Sequence, residues 1–343
     1  MSETAYLFIH VSRIGDSLFA TPAMRALAAH DPGAVIDILG HPKRCAVFEG
    51  LPFIRRVGGV TPATAWLRGR LGTKPYDWAI VYGYDRPLLS LGLRVARRCV
   101  AFRQPDPAIN QRLTTLVEPP AYQSEHAIHQ LSRLPEALGV TTRSERIAFV
   151  TTPAERAHSA ARLGAFLDAS PLIGIQPCSF PTKPYRDWPM AHFIGLCQRI
   201  LDQWPQARFV IFGGPDDRHR TAPLTDALGD RAMNLAGVLT LRQSGAVMPH
   251  LDLYLGVDTG LTHMMSALDT PMVLFYHCIS PPELTGPLQH PACHFLTLDP
   301  RGRPCNEAIG LGEITIDQAL VAITRILAPF TGSAPRLRNE KRA

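Results

Sequence analysis

The run Tyr6-Leu-Phe-Ile-His-Val11 is followed by the turn Ser12-Arg-Ile-Gly-Asp-Ser17, by a helical pattern from Leu18 to Ala29, and by a second apolar run, Val35-Ile-Asp-Ile-Leu39. Strand-length apolar runs separated by apolar residues at helical spacing are the pattern of a parallel sheet covered by helices on both faces. Ile54–Val60 and Trp78-Ala-Ile-Val-Tyr82 continue the strands, and the polar, proline-bearing stretch Arg103–Tyr122 reads as a loop. A helix-like segment from Pro153 to Asp168 leads to the break Ala169-Ser-Pro171, after which the alternation restarts. Its strands are Leu172–Gln176, Arg208–Phe212, Leu253–Val257 and Met272–Tyr276, with helical patterns at Met190–Gln203, Arg218–Leu228 and Gly260–Leu268 between them. The sequence thus predicts an α/β chain of two doubly wound, Rossmann-like domains: residues 1–152, a linker helix at 153–170, residues 171–330, and a basic tail at 331–343 expected to be disordered. Ligands of such sheets bind beyond the carboxyl ends of the strands, so the expected site is the cleft between the domains.

Composition agrees with this reading. A length of 343 residues gives about two domains at roughly 150 residues each. Hydrophobic residues at 46% and charged residues at 19% exclude a disordered chain, a coiled coil and a disulfide-stapled mini-protein. No apolar run approaches the roughly 20 residues that span a bilayer. The first residues lack a basic region ahead of the apolar stretch, so no signal peptide is expected and the cytoplasm is the expected compartment. Seven scattered cysteines with no C-x-x-C pair predict reduced, mostly buried thiols, with neither a disulfide framework nor a structural zinc. The net charge is +6, and almost all of the positive charge is arginine, a residue suited to phosphates and carboxylates; Lys43, Lys74, Lys183 and Lys341 are the only lysines.

Four strand-end turns carry chemistry. Asp16 follows the first strand, where it can cap a helix or act as a general base; spacing alone favours the cap. The turn Gln176-Pro-Cys-Ser-Phe-Pro-Thr-Lys-Pro-Tyr-Arg-Asp-Trp-Pro189 gathers Ser179, Thr182, Lys183 and Arg186, hydroxyl and cationic donors suited to a diphosphate. A solvated loop with Trp188 tucked against the domain is the plainer alternative. Asp258-Thr-Gly-Leu-Thr-His263 opens a helix after a strand, so that Thr259, Gly260 and Leu261 form an anion cradle beside Asp258, with His263 in the first turn. In Phe212-Gly-Gly-Pro-Asp-Asp217, Gly213 and Gly214 allow close approach of a ligand, and Asp216 or Asp217 can grip a ribose diol or cap a helix. No G-x-G-x-x-G follows any strand, which argues against a nicotinamide-dependent enzyme.

Together these motifs resemble the lipopolysaccharide heptosyltransferases, glycosyltransferase family 9. The resemblance rests on Ser12-Arg-Ile-Gly-Asp16 with Thr21-Pro22, Ser179-Phe-Pro-Thr-Lys183 with Trp188-Pro189, and Phe212-Gly-Gly-Pro215. It also rests on Asp258-Thr-Gly-Leu-Thr-His263 with Ala267-Leu268, Pro271 and Thr285-Gly286-Pro287. It implies a GT-B fold and an inverting transferase that uses a nucleotide-activated sugar, typically ADP-heptose, with a lipopolysaccharide core acceptor, no cofactor and no obligatory metal. On that resemblance Asp16 becomes the general base rather than a cap, and Lys183 or Arg186, with the Asp258 turn and His263 nearby, would hold the donor diphosphate. The sequence departs from the family where Pro184, Tyr185 and Asp187 interrupt the lysine–arginine–tryptophan motif, and where His277-Cys-Ile-Ser-Pro281 replaces a Gly-Pro-Thr turn. The expected partners are the nucleotide-sugar and the glycolipid acceptor, with peripheral contact at the cytoplasmic face of the inner membrane and no nucleic acid. A transferase for another nucleotide-sugar and glycan, and a catalytically silent nucleotide- or glycan-binding protein, are the alternatives.

Overall fold

The structure, a computed structural model, describes residues 3–68, 74–299 and 302–328. The expected disordered tail at 331–343 lies outside the described residues. The chain divides into two compact units, Met1–Val150 with Glu283–Gln289, and Thr151–Pro282 with His290–Ala343.

The first unit holds β1 (Ala5–His10), β2 (Val35–Gly40), β3 (Arg56–Gly59), β4 (Tyr76–Val81), β5 (Ala96–Phe102) and β6 (Thr115–Val117). They form a parallel sheet in the order β3-β2-β1-β4-β5-β6. Its central strand β1 buries Leu7, Phe8 and Ile9 because helices cover both faces. Leu7, Ile9, Ala79 and Val81 join Leu88, Leu89 and Leu91 of helix Arg86–Val95 in one core cluster. Gly92 lets that helix lie close, since a Cβ there would stand 2.7 Å from Val81 Cγ2.

The second unit repeats the plan with β7 (Leu172–Gln176), β8 (Arg208–Ile211), β9 (Ala232–Asn234), β10 (Leu253–Val257), β11 (Met272–Tyr276) and β12 (Cys293–Thr297), in the order β12-β11-β10-β7-β8-β9. Both orders reverse at the first strand of their unit, the switch point where doubly wound sheets bind ligands. Trp188 stacks on Phe275 at 4.5 Å, takes Phe193 edge-on, and donates its indole N–H to the Ile314 carbonyl at 2.8 Å. This buried anchor fixes the far end of the loop that leaves β7.

Several elements differ from the sequence expectation. The pattern Leu18–Ala29 is two helices, Ile14–Phe19 and Thr21–His30, with Pro22 in the first turn of the second. The presumed loop Arg103–Tyr122 contains helix Pro107–Asn110, capped by Asp106 through the Ala108 amide at 2.9 Å, and the short edge strand β6. Residues 153–170, expected to link the domains, pack into the second unit. Thr152 and Glu155 form a reciprocal cap on helix Pro153–Leu163, Glu155 pairs with Arg242 at 2.6 Å, and Ser159 donates to the Ala246 carbonyl at 2.8 Å. The expectation of seven reduced cysteines is corrected by a disulfide between Cys278 and Cys305, which the long sequence separation concealed. Of the remaining five, Cys99, Cys178 and Cys197 are buried. No described helix is long and apolar enough to cross a membrane.

Candidate active site

In the first unit, Asp16 lies in the first turn of helix Ile14–Phe19, just past the carboxyl end of β1. The N-cap position belongs to Arg13 and no side chain caps the helix, so Asp16 is not the cap that spacing favours. Ser12 Oγ donates to Asp16 Oδ2 at 2.8 Å, and His10 Nε2 lies 3.0 Å from the Asp16 carbonyl. Burial pushes the His10 imidazole below its ordinary pKa, which suits a neutral ring donating to that carbonyl. Among the described residues Asp16 Oδ1 accepts no hydrogen bond, and the side chain is half-buried. The carboxylate is therefore aimed by one oxygen and open at the other.

In the second unit, the turns after β7, β8, β10 and β11 form two linked charge networks. The first centres on Arg220. It binds Asp187, Asp217 Oδ1 at 2.7 Å and the Ser179 carbonyl at 2.8 Å. The Ser179 amide donates to Asp187 Oδ1 at 2.6 Å, Ser179 Oγ to the Lys183 carbonyl at 3.0 Å, and the Gly214 amide to Asp217 Oδ2 at 2.9 Å. Burial raises the Asp187 carboxyl above its usual range, outweighing the bonds from Ser179 and the charge of Arg220. The second network centres on Asp258, which is buried. It pairs with Arg186 Nη2 at 2.8 Å and His263 Nε2 at 3.0 Å, and accepts from Ser280 Oγ at 3.2 Å. Burial pushes this carboxyl up, but the hydrogen bond and charge of His263, then Arg186 and Ser280, bring it below its ordinary value.

These networks redistribute the expected roles. Arg186 is bound to Asp258, whereas the half-buried Lys183 forms no ion pair among the described residues. The hydroxyl of Ser179 is engaged by the Lys183 carbonyl, so it shapes the turn around Lys183. Asp217, expected to reach a ribose, has both oxygens engaged within the chain, while Asp216 is exposed. Gly213 is required by packing: a Cβ there would meet Asp217 Cβ at 2.8 Å and Ala236 Cβ at 3.0 Å. Thr259 is the N-cap of helix Gly260–Met265 and accepts from the Thr262 amide at 3.4 Å. The amides of Gly260 and Leu261 open the helix with no intrahelical acceptor and can bind an anion. The Nε2 of His263 is turned to Asp258.

Reading the sequence missed Ser12, Asp187, Arg220 and Ser280 as parts of these arrangements. Asp217-x-x-Arg220 at a helix start is a visible ion-pair spacing. The other links join residues whose approach depends on the fold.

The profile of glycosyltransferase family 9 (heptosyltransferase) matches residues 112–308. Lipopolysaccharide heptosyltransferase 2 of Salmonella typhimurium is 32% identical over 126 residues, 36% of this chain and 35% of that protein; the match spans about a third of each. The E. coli ADP-heptose lipopolysaccharide heptosyltransferase II structure superposes with a TM-score of 0.78 at 20% identity, covering 97% of this chain and all of that one. A family 9 glycosyltransferase from Veillonella parvula gives a TM-score of 0.81 at 20% identity, covering 96% and 98%. The two doubly wound sheets are those of the GT-B fold, and the matched profile covers more than half the chain, so the protein belongs to glycosyltransferase family 9, the heptosyltransferases.

Proposed function

We propose that this chain is an inverting glycosyltransferase that moves heptose from ADP-heptose onto a lipopolysaccharide core acceptor, with Asp16 as general base. The observation that carries the reading is the Asp16 carboxylate, aimed through Ser12 and open at Oδ1 beyond the end of β1. Asp16 takes the proton of an acceptor hydroxyl as that oxygen attacks the anomeric carbon. The bond between that carbon and the β-phosphate oxygen breaks, the configuration inverts, and ADP departs with the added negative charge. Lys183 and the amides of Gly260 and Leu261 meet that charge, the electrostatic stabilisation on which such transfers depend. Arg186 and His263, held on Asp258, shape the same turn, and Asp216 faces the ribose. The similarity to a lipopolysaccharide heptosyltransferase and to an ADP-heptose lipopolysaccharide heptosyltransferase supports the donor and acceptor. No metal is needed in this scheme, and the setting is the cytoplasmic face of the inner membrane, where a basic protein meets anionic lipid.

The test is Asp16→Asn assayed with ADP-heptose and a core acceptor in excess EDTA. Turnover should fall about 10²–10⁴-fold while ADP affinity and melting temperature hold. Near-normal turnover of the variant would remove Asp16 from the chemistry. A second reading, another nucleotide-sugar on the same scaffold, is favoured by the turn after β11, where His277 is bonded to the Ile309 carbonyl at 2.6 Å and Cys278 is cross-linked. A panel of nucleotide-sugars scored by turnover separates the two.

A further inference from the structure

We propose that His277, Cys278 and Cys305 form a binding site for a soft divalent metal ion, available when the Cys278–Cys305 disulfide is reduced. The site is independent of which sugar is transferred. One ligand atom from each residue lies within 4.8 Å of the other two, although Cys305 is 27 residues away from Cys278. Two thiolates and an imidazole are the donor types that select zinc and similar thiophilic ions.

The imidazole is prepared for this task. His277 is buried, and its Nε2 lies 2.6 Å from the Ile309 carbonyl. Because a carbonyl only accepts, Nε2 carries the hydrogen and Nδ1 keeps the lone pair. Nδ1 lies 3.8 Å from Cys278 Sγ. Fixing a histidine tautomer through a backbone carbonyl is the outer support typical of a metal-ligating ring. The Ile279 amide, 3.1 Å from Nδ1, is the contact a cation would displace. Tyr185 packs its ring edge-on to His277 at 5.0 Å, shielding one side, while Cys305 is exposed and gives an ion its entry.

The chemistry balances simply. A dithiol reductant transfers two electrons and two protons, breaking the S–S bond to give two thiols and becoming a cyclic disulfide itself. Binding of M²⁺ then expels both thiol protons, leaving a neutral M(S⁻)₂(imidazole) unit with one position open to water. The sulfurs need only separate to the roughly 3.7 Å that two metal–sulfur bonds of about 2.3 Å at a tetrahedral angle demand. A Cα–Cα distance of 6.0 Å accommodates this without moving the backbone far.

The experiment uses the full chain and Co²⁺ as the probe. Reduced, desalted protein is titrated anaerobically and the near-ultraviolet thiolate-to-cobalt band is followed. One equivalent should bind, zinc should displace it, and the disulfide form should give no band. Cys305→Ser, at an exposed position, should lose the band or weaken Co²⁺ binding by at least about tenfold. Cys45→Ser should bind as the parent does. A reduced wild-type protein without the band, or a Cys305→Ser protein that retains it at parental affinity, would overturn the assignment.

Discussion

Cutting the Arg186–Asp258 pair from either side, and then from both, should give three unequal costs. The pair is almost dry, with side-chain exposures of 13% and 8%. Asp258→Ala strands a buried guanidinium and also deprives His263 and Ser280 of their acceptor. Breaking a buried pair this way costs about 3–5 kcal/mol. Arg186→Met leaves Asp258 two of its three side-chain partners, so its cost should be nearer the 1.5–3 kcal/mol of one hydrogen bond to a charge. The double variant has no stranded charge from this pair and should fall short of the sum by about 2 kcal/mol, within the range of residues in contact. Urea unfolding, followed by tryptophan fluorescence and circular dichroism with the slope held constant, reads all four proteins. The pH dependence adds a check. The folded Asp258 carboxyl lies below its ordinary value of 3.8, so its contribution is complete above that pH and is lost as pH falls through the folded value. Wild type and Asp258→Asn should therefore converge in stability in strong acid. Additivity within about 0.5 kcal/mol would refute the coupling and the reasoning with it.

Three further outcomes follow from the same geometry. Arg220→Met should weaken ADP binding more than adenosine binding in calorimetry, because the arginine holds the Lys183 and Gly213–Gly214 turns together; equal loss for both ligands would place its effect away from the phosphates. Glu155, whose carboxyl is brought from 4.5 to about 2 chiefly by Arg242, lends stability that is full above 4.5 and disappears as pH falls toward 2, so Glu155→Gln should flatten that limb of a melting-temperature profile. Gly237→Ala should destabilise by at least about 1–2 kcal/mol in the same urea assay, since φ is +70° and the new Cβ would lie 2.9 Å from Pro215 Cα; an unchanged midpoint would show that the backbone yields easily there.

What the sequence revealed tracks burial. β7, β10 and β11 are readable to the residue because each is buried along its length and apolar but for Gln176 at the end of β7, as a strand covered on both faces tends to be. Helices Met190–Gln203 and Arg218–Leu228 were equally legible from their apolar periodicity and from Gly229 just past the second. β5 carries the exposed Arg97 and Arg98 just after its first residue, and β6 and β9 have three residues each at sheet edges, too few to show a period. At the site, the turns themselves were visible in the order of polar residues. Which side chains satisfy one another was not: Asp217 looks like a ribose ligand until Gly214 and Arg220 occupy it, and Asp187 looks like an interruption until Ser179 and Arg220 bind it. Such assignments depend on contacts among separate strand ends, which no local spacing encodes.

The placement of Glu283–Gln289 in the first unit bears on how this protein can be cut and recombined. His126 bonds the Gly286 carbonyl at 2.9 Å, Arg146 donates to the Gln289 carbonyl at 3.2 Å, and the Glu145 amide donates to the Gln289 side chain at 3.1 Å. A fragment ending at residue 150 would lack seven residues of its own unit and expose the groups that receive them. Chimeras that exchange halves at a single junction would pair one parent's strap with the other parent's unit. A faithful exchange requires three junctions, near residues 150, 282 and 289, because each of the two units is discontinuous along the chain and therefore in its gene.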